Sequence, residues 1–223
     1  MTITSGMSVG TLAAEHPLAT RVFARHGIDY CCRGGRPLGE VCAEERLDTD
    51  AVLDEIRREL ETADASEVRW DQAPLGDLID HILATYHRSL DEELPRLESM
   101  ARKVLDVHRD KDPERLPELL SVFLGLKSEL EEHMAKEEQI LFPLIRSGRG
   151  AMAGGPIAAM EHDHASAGAV LRRLQELTDG YEVPAGACNT WRALWHGLAA
   201  LEESLHQHIH LENNILFPRA LAG

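Results

Sequence analysis

The sequence predicts an all-α fold: an up-down-up-down four-helix bundle preceded by a small helical N-terminal domain. Three observations predict it. Hydrophobic residues fill 43% of the 223 positions, yet aromatics only 4%, and runs of β-branched residues are scarce. That composition lacks the side chains that favour sheets. From Leu75 onward, apolar residues recur at roughly the 3.6-residue period of a helix. The chain also repeats itself. HMAKEEQILFP at 133–143 and HIHLENNILFP at 208–218 both read HxxxExxILFP, 75 residues apart.

The elements follow in order. Residues 1–66 form the first predicted domain, with Cys31, Cys32, Cys42, several glycine breaks, a helix end at His26-Gly27 and a polar helix near Thr49 to Thr62. Thr62 to Pro74 has little periodicity and reads as a linker, with Pro74 placed for the first turn of a helix. Residues 72–223 form the bundle. Its first helix runs from about 75 to 107, with Ile79, Leu83, Leu90, Leu94 and Leu97 on one face and Pro95 as a kink site. The second runs from about 114 to 145, with Leu119, Phe123, Leu126, Leu130 and Ile140 facing inward. The third runs from about 156 to 179 on Ile157, Met160, Leu171 and Leu174. The fourth runs from about 186 to 219 on Trp191, Leu194, Leu198, Leu201, Leu205 and Ile215. Short loops, one of them the glycine-rich SGRGAMAGG, make neighbouring helices antiparallel.

Charge and cysteine usage exclude several classes. There are 23 Lys+Arg against 38 Asp+Glu, a net charge of −15, which disfavours nucleic-acid backbones. No apolar run approaches the roughly 18–20 residues of a membrane span, and MTITSGMSVG lacks the parts of a signal peptide. Four cysteines, two of them adjacent, are no disulfide framework. The expectation is a cytoplasmic protein with neither nucleic-acid nor membrane partners.

The 12 histidines then need an explanation, and register supplies it. On the second helix the stripe 119, 123, 126, 130 continues through 133, 137 and 140, so His133 and Glu137 hold core positions. On the fourth, 198, 201 and 205 continue through 208, 212 and 215, so His208 and Glu212 do too. His164 falls on the third stripe, and His87 lies between Leu83 and Leu90 on the first. Buried carboxylates are costly unless paired or metal-bound. In HxxxE the two side chains are one turn apart and reach the same spot. Imidazole plus carboxylate without thiolate favours iron, manganese or zinc. Six ligands are too many for one tetrahedral zinc. They fit two non-haem irons, each with two His, bridged by both carboxylates and by an oxo or hydroxo group. His81, His162, His196 and His210 fall off the stripes and read as solvated; His206 sits at a stripe edge. His108 is placed to complement a helix C-terminus, and His16 and His26 belong to the first domain. Glu129, four before His133, and Asp163, just before His164, read first as solvated carboxylates and alternatively as hydrogen-bond supports of those core histidines, and Cys42 and Cys188 read as buried or partly buried thiols.

The paired HxxxE bundle resembles the hemerythrin-like domain. With Asp29-Tyr30-Cys31-Cys32, Tyr86-His87, the MEHDH segment ending at His164 and the C-terminal HIHLENNILFPRALAG, essentially the whole chain resembles the RIC family of di-iron iron–sulfur cluster repair proteins. The resemblance implies the same six ligands, with Glu137 and Glu212 bridging. It also implies repair of clusters damaged by nitric oxide or peroxide, by iron donation, by reaction with nitric oxide, or by both. The partners would be proteins with damaged clusters. Adjacent Cys31 and Cys32 can form only a strained ring disulfide, so they should rest as thiols. They read either as a pair exchanging electrons, nitric oxide or iron with the bundle, or as two small apolar residues at a turn. Two other functions compete. A dioxygen or nitric oxide carrier or sensor needs only the bundle, and a ferritin-like oxidase uses Glu-x-x-His pairs instead of His-x-x-x-Glu.

Overall fold

A computed structural model describes residues 3–61 and 68–223. Residues 62–67, which include the end of the predicted first domain and half of the predicted linker, lie outside the described residues. The N-terminal part is built of α1 (Val9–Glu15), α2 (Ala19–Arg25), α3 (Leu38–Glu44) and α4 (Thr49–Glu61). Local chemistry sets their ends. The Ser8 side chain accepts the Thr11 N–H at 3.1 Å and starts α1. Gly27, at φ +65°, turns the chain after α2. Asp48 Oδ1 accepts the N–H groups of Asp50 and Ala51 at 3.0 and 3.2 Å and starts α4. Val9, Leu12, Val22, Phe23, Leu38 and Ile56 are fully buried in one cluster, which Ile209 of the bundle joins. The one β feature among the described residues is an isolated bridge between Ser8 and Pro37.

Four long helices follow. The first comprises α5 (Leu75–Ile82), the turn Leu83–His87 and α6 (Arg88–His108). The second comprises α7 (Arg115–Lys136), the turn Glu137–Leu141 and α8 (Phe142–Arg146). The third is α9 (Gly154–Leu177), preceded by a single 3₁₀ turn at Gly150–Met152. The fourth comprises α10 (Asn189–Leu211), the turn Glu212–Leu216 and α11 (Phe217–Ala222). Each predicted terminus lies within three residues of the observed one. The first helix packs on the second and the fourth, and the second on the third. Helix α6 continues through Pro95 without a break. Among the described residues no helix is long and apolar enough to cross a membrane.

The turns at 83–87, 137–141 and 212–216 are π-helical. The N–H groups of Arg88, Phe142 and Phe217 reach the carbonyls of Leu83, Glu137 and Glu212, five residues back. Two of these turns run straight into a Phe-Pro pair, whose proline has no N–H and whose ring crowds the carbonyl four residues earlier. The repeat therefore carries its own widened turn. Each turn inserts one residue and advances the register. This overturns two sequence expectations. Ile140 is 57% exposed, and Leu141 at 1% takes its core place. Leu83 is only half-buried, while Ile82 is fully buried.

The N-terminal domain rests on α10 and on the turn at 212–216. Gly10 N–H donates to the Gly34 carbonyl at 2.7 Å there. A Cβ on Gly10 would lie 2.2 Å from Asn214 Oδ1 and 2.9 Å from Gly34 O. On Gly34 it would lie 2.2 Å from Asn214 Oδ1 and 2.8 Å from Tyr30 O. Rotating Asn214 cannot relieve the backbone contacts. Gly10→Ala and Gly34→Ala are each expected to destabilise this junction by about 1–3 kcal/mol. Limited proteolysis of the N-terminal domain would read the loss; unchanged protection would show that the junction yields.

The described half of the predicted linker is fastened to the bundle. Trp70 stacks on His81 at 4.4 Å, and Arg219 donates to the carbonyls of Trp70 and Ala73, both at 2.7 Å.

Candidate metal centre

Two apolar clusters divide the bundle along its length. One holds Leu90, Leu130, Met134, Ala167, Leu171 and Leu205; the other holds Ile82, Leu141, Phe142, Met160, Leu211 and Ile215. Between them lies a polar layer formed by His87, His133, Glu137, His164, His208 and Glu212, none more than 4% exposed. All six predicted core positions meet here. They fall into two overlapping groups, His87, Glu137, His208, Glu212 and His133, Glu137, His164, Glu212. Within each group one donor atom from every residue lies within 4.8 Å of the others. Glu137 and Glu212 belong to both. The π-turns produce this layout, since His87 ends one of them and Glu137 and Glu212 each begin one.

The contacts within the layer are those of donors facing a common point. Nε2 of His133 and of His164 stand 3.1 Å apart. Glu137 Oε2 is 3.4 Å from Nε2 of both His87 and His133. Glu212 Oε2 is 3.2 Å from His164 Nε2, and its Oε1 is 3.0 Å from His208 Nε2. Among the described residues, both Glu137 oxygens, Glu212 Oε2 and His87 Nε2 nevertheless make no acceptable hydrogen bond. Buried atoms of this kind are costly without a partner. The carboxylates draw protons onto the rings instead. Burial alone would lower His164, but Glu212 overrides it and pushes it up to about 9. Burial also opposes charge on His87, which Glu137 raises. Burial lowers His133, with the facing His164 adding to it. Glu212 is held well below the usual carboxylate range; burial opposes this, and His208 and His164 outweigh it. A divalent cation satisfies the same atoms without those protons. The donor set, orphaned atoms and shared carboxylates all fit a metal.

The outer nitrogens point the rings inward. His87 Nδ1 lies 3.0 Å from Glu138 Oε1, which Arg88 also contacts at 2.6 Å. His164 Nδ1 lies 2.8 Å from Asn213 Oδ1. His133 Nδ1 lies 3.4 Å from Asp163 Oδ2, which Lys136 holds at 2.7 Å. These contacts leave Nε2 free for the centre. His208 Nδ1 has no such partner among the described residues; its ring stacks on Tyr86 at 5.1 Å. Asp163 is therefore not simply solvated, and Glu138 and Asn213 were missed. The repeat held the signal, because Glu138 and Asn213 both follow the HxxxE glutamate and serve the equivalent rings His87 and His164.

His210 also departs from expectation. It is buried, 5.4 Å from the Tyr30 ring and 3.0 Å from Asn214 Nδ2, and burial pushes it down to about 4. The docked N-terminal domain covers what would otherwise be an exposed helix face. His162 and His196 are exposed as expected, while His81 is half-buried under Trp70.

Cys31 and Cys32 lie against α9 and the turn at 212–216. Their sulfurs are 3.6 Å apart and free, and the Cys32 thiol donates to the His164 carbonyl at 3.6 Å. Asn213 Nδ2 donates to the Cys31 carbonyl at 3.1 Å. One amide side chain thus touches both the His164 ring and the cysteine loop. A separate cavity of about 270 Å³ reaches His133, His164 and His208 from the side of Glu129, Lys136 and Asp163. The cysteines are not among its lining residues.

Residues 78–220 match the model of the hemerythrin HHE cation binding domain, and residues 5–60 match a domain of unknown function, DUF542. The chain is 45% identical over 218 residues to the iron-sulfur cluster repair protein YtfE of Musicola paradisiaca, covering 97% of this chain and 96% of that one. It is 44% identical to the proteins of the same name from Escherichia coli O81 and Pectobacterium atrosepticum, with 96–97% of each chain covered. The chain belongs to the family of iron–sulfur cluster repair proteins. The hemerythrin-like bundle and its helical N-terminal part are those of this family, and the buried His/Glu layer lies inside the cation-binding match.

A family member with such a layer draws folding free energy from its metal. A metal held about a thousandfold above its Kd adds roughly 4 kcal/mol. In a chain of this size that corresponds to a fall in Tm on the order of 10 °C when the metal is stripped. Calorimetry before and after chelation would measure it; an unchanged Tm would mean that the layer is self-sufficient.

Proposed function

We propose that this chain repairs iron–sulfur clusters of other proteins damaged by nitrosative or oxidative stress, using a di-iron centre. His87 and His208 hold one iron, His133 and His164 the other, and Glu137 and Glu212 bridge them. The observation that carries this reading is the pair of overlapping donor groups sharing both carboxylates. Bound iron would supply a redox-active, exchangeable metal that also takes diatomic ligands. The chain's own groups do the rest. Glu138, Asn213 and Asp163 orient three of the rings. Leu141, Phe142, Met160 and Leu205 seal the layer on both sides. The cavity beside His133 and His164 gives nitric oxide or dioxygen a route to the layer.

Cys31 and Cys32 are proposed as the transfer thiols. Support comes from Cys32 on the His164 backbone and from Asp29, whose Oδ1 is 3.4 Å from Cys31 Sγ and 2.9 Å from the Cys32 N–H. Contact with Cys31 pulls the Cys32 thiol below its usual value and pushes Cys31 up, so Cys32 is the sulfur that ionises first. Free thiols at all four cysteines suit the reducing cytoplasm.

The test is transfer of iron from the purified protein to a cluster-depleted dehydratase, with and without nitric oxide. Recovered dehydratase activity at the expense of protein-bound iron supports repair. Reversible ligand binding with no recovery would favour the other reading that the cavity permits, a carrier or sensor of dioxygen or nitric oxide.

A further inference from the structure

At the opposite end of the bundle a second cysteine has surroundings that cluster repair does not use. Cys188 caps α10 and is exposed, where the sequence predicts a buried or partly buried thiol. It lies 20 residues from His208 along that helix, roughly 30 Å at 1.5 Å per residue. The N–H groups of Trp191 and Thr190 in the first turn, and the Lys103 charge, draw the thiol below its usual value.

The independent observation is His108. The sequence places it to complement a helix C-terminus; in the structure it is only 8% exposed, with its ring 5.0 Å from Trp191. Its Nε2 lies 3.2 Å from Cys188 Sγ, the one polar contact of the imidazole among the described residues. A buried base aimed at an exposed thiol on a helix N-terminus is the arrangement that activates a cysteine. Cations gather around it. Lys111 Nζ donates to the Gly186 carbonyl and Arg192 Nε to the Ala187 carbonyl, each at 3.2 Å. Lys103, Lys111 and Arg192 are exposed and belong to no ion pair among the described residues. In a chain of net charge −15, this is a local field that attracts anions.

We propose that Cys188 and His108 form a thiol modification site that takes up an anionic low-molecular-weight disulfide as a mixed disulfide. His108 accepts the thiol proton. The Cys188 thiolate attacks one sulfur of the small disulfide; the Cys188–sulfur bond forms as the reagent's own S–S bond breaks. The departing half leaves as a thiolate and takes the proton from His108. The small disulfide is the oxidant: the protein thiol is oxidised, and one half of the reagent is reduced to a thiol. No metal takes part, and the distance along α10 leaves the iron layer untouched.

The experiment uses the full chain with Cys31→Ser, Cys32→Ser and Cys42→Ser, so that Cys188 is the sole thiol, and with iron content verified. Mixed-disulfide formation is followed by intact mass at pH 7 with oxidised glutathione (anionic), hydroxyethyl disulfide (neutral) and cystamine (cationic). Oxidised glutathione should react about tenfold faster than it does with an unstructured cysteine peptide, and faster than cystamine does with Cys188. His108→Gln should remove most of that advantage. Lys103→Glu with Arg192→Glu, at two exposed positions, should reverse the order of glutathione and cystamine while helicity and iron content stay the same. Reaction no faster than that of the peptide, or equal rates with the anionic and cationic reagents, would overturn the proposal, and neither result depends on whether the His108 variant folds.

Discussion

Glu137→Ala and Glu212→Ala are each expected to empty the metal centre of both ions, although each removes a single side chain. Each carboxylate belongs to both donor groups, so in the proposed two-metal arrangement one substitution would strip a ligand from both metals and leave four imidazoles with a single carboxylate. Removing even an outer hydrogen-bond partner of a metal ligand typically costs about 10–100-fold in affinity; the loss here should exceed that. The comparison is with His196→Ala, which changes an exposed ring outside the cavity that reaches the layer and should leave metal content as it was. Metal analysis of the three purified variants reads the result. If Glu137→Ala kept both ions, or His196→Ala lost them, the layer would not be the metal site.

Separating the two parts of the chain should separate iron binding from repair. Every residue of the polar layer and both apolar clusters around it, except the sealing contact of Ala14, belong to residues 68–223. A chain of residues 68–223 is expected to fold, bind metal and keep its absorption spectrum. It loses Cys31 and Cys32, and with them the thiol beside the His164 backbone. Repair rate at equal iron content should fall by at least about tenfold, and Cys31→Ala with Cys32→Ala in the full chain should reproduce that fall. Asn213→Leu, which breaks the side-chain link between His164 and the Cys31 carbonyl, should give a rate between those of the full chain and the double mutant. Equal repair rates in all of them would make the cysteines packing residues and leave the function to the bundle.

The helices were legible in the sequence because their apolar stripes are long and regular. The six layer residues were legible because each continues such a stripe. What the stripes could not show is where the helix widens. Ile140 was placed inward by counting residues through Glu137, and the π-turn at 137–141 moved it to the surface. Glu137 and Glu212 survived the same miscount because each begins a widened turn, before the shift accumulates, and His87 because it ends one and shares the register of Leu90 and Leu94 beyond it. His210 was misplaced for a different reason. Periodicity describes how a helix packs in its own bundle, whereas the face carrying His210 is buried by a separate domain. His108 and Cys188 belong to helix ends, where loops rather than stripes decide burial.

Two metals held together by two shared carboxylates would be electronically coupled, and that coupling can be measured. The full chain, loaded with iron-57 and oxidised, should be measured by Mössbauer spectroscopy in zero and high field together with metal analysis. Two irons per chain and a diamagnetic ground state are expected, because bridged ferric ions couple antiferromagnetically. A single paramagnetic ferric ion per chain, or two ions with no coupling, would contradict the bridged pair.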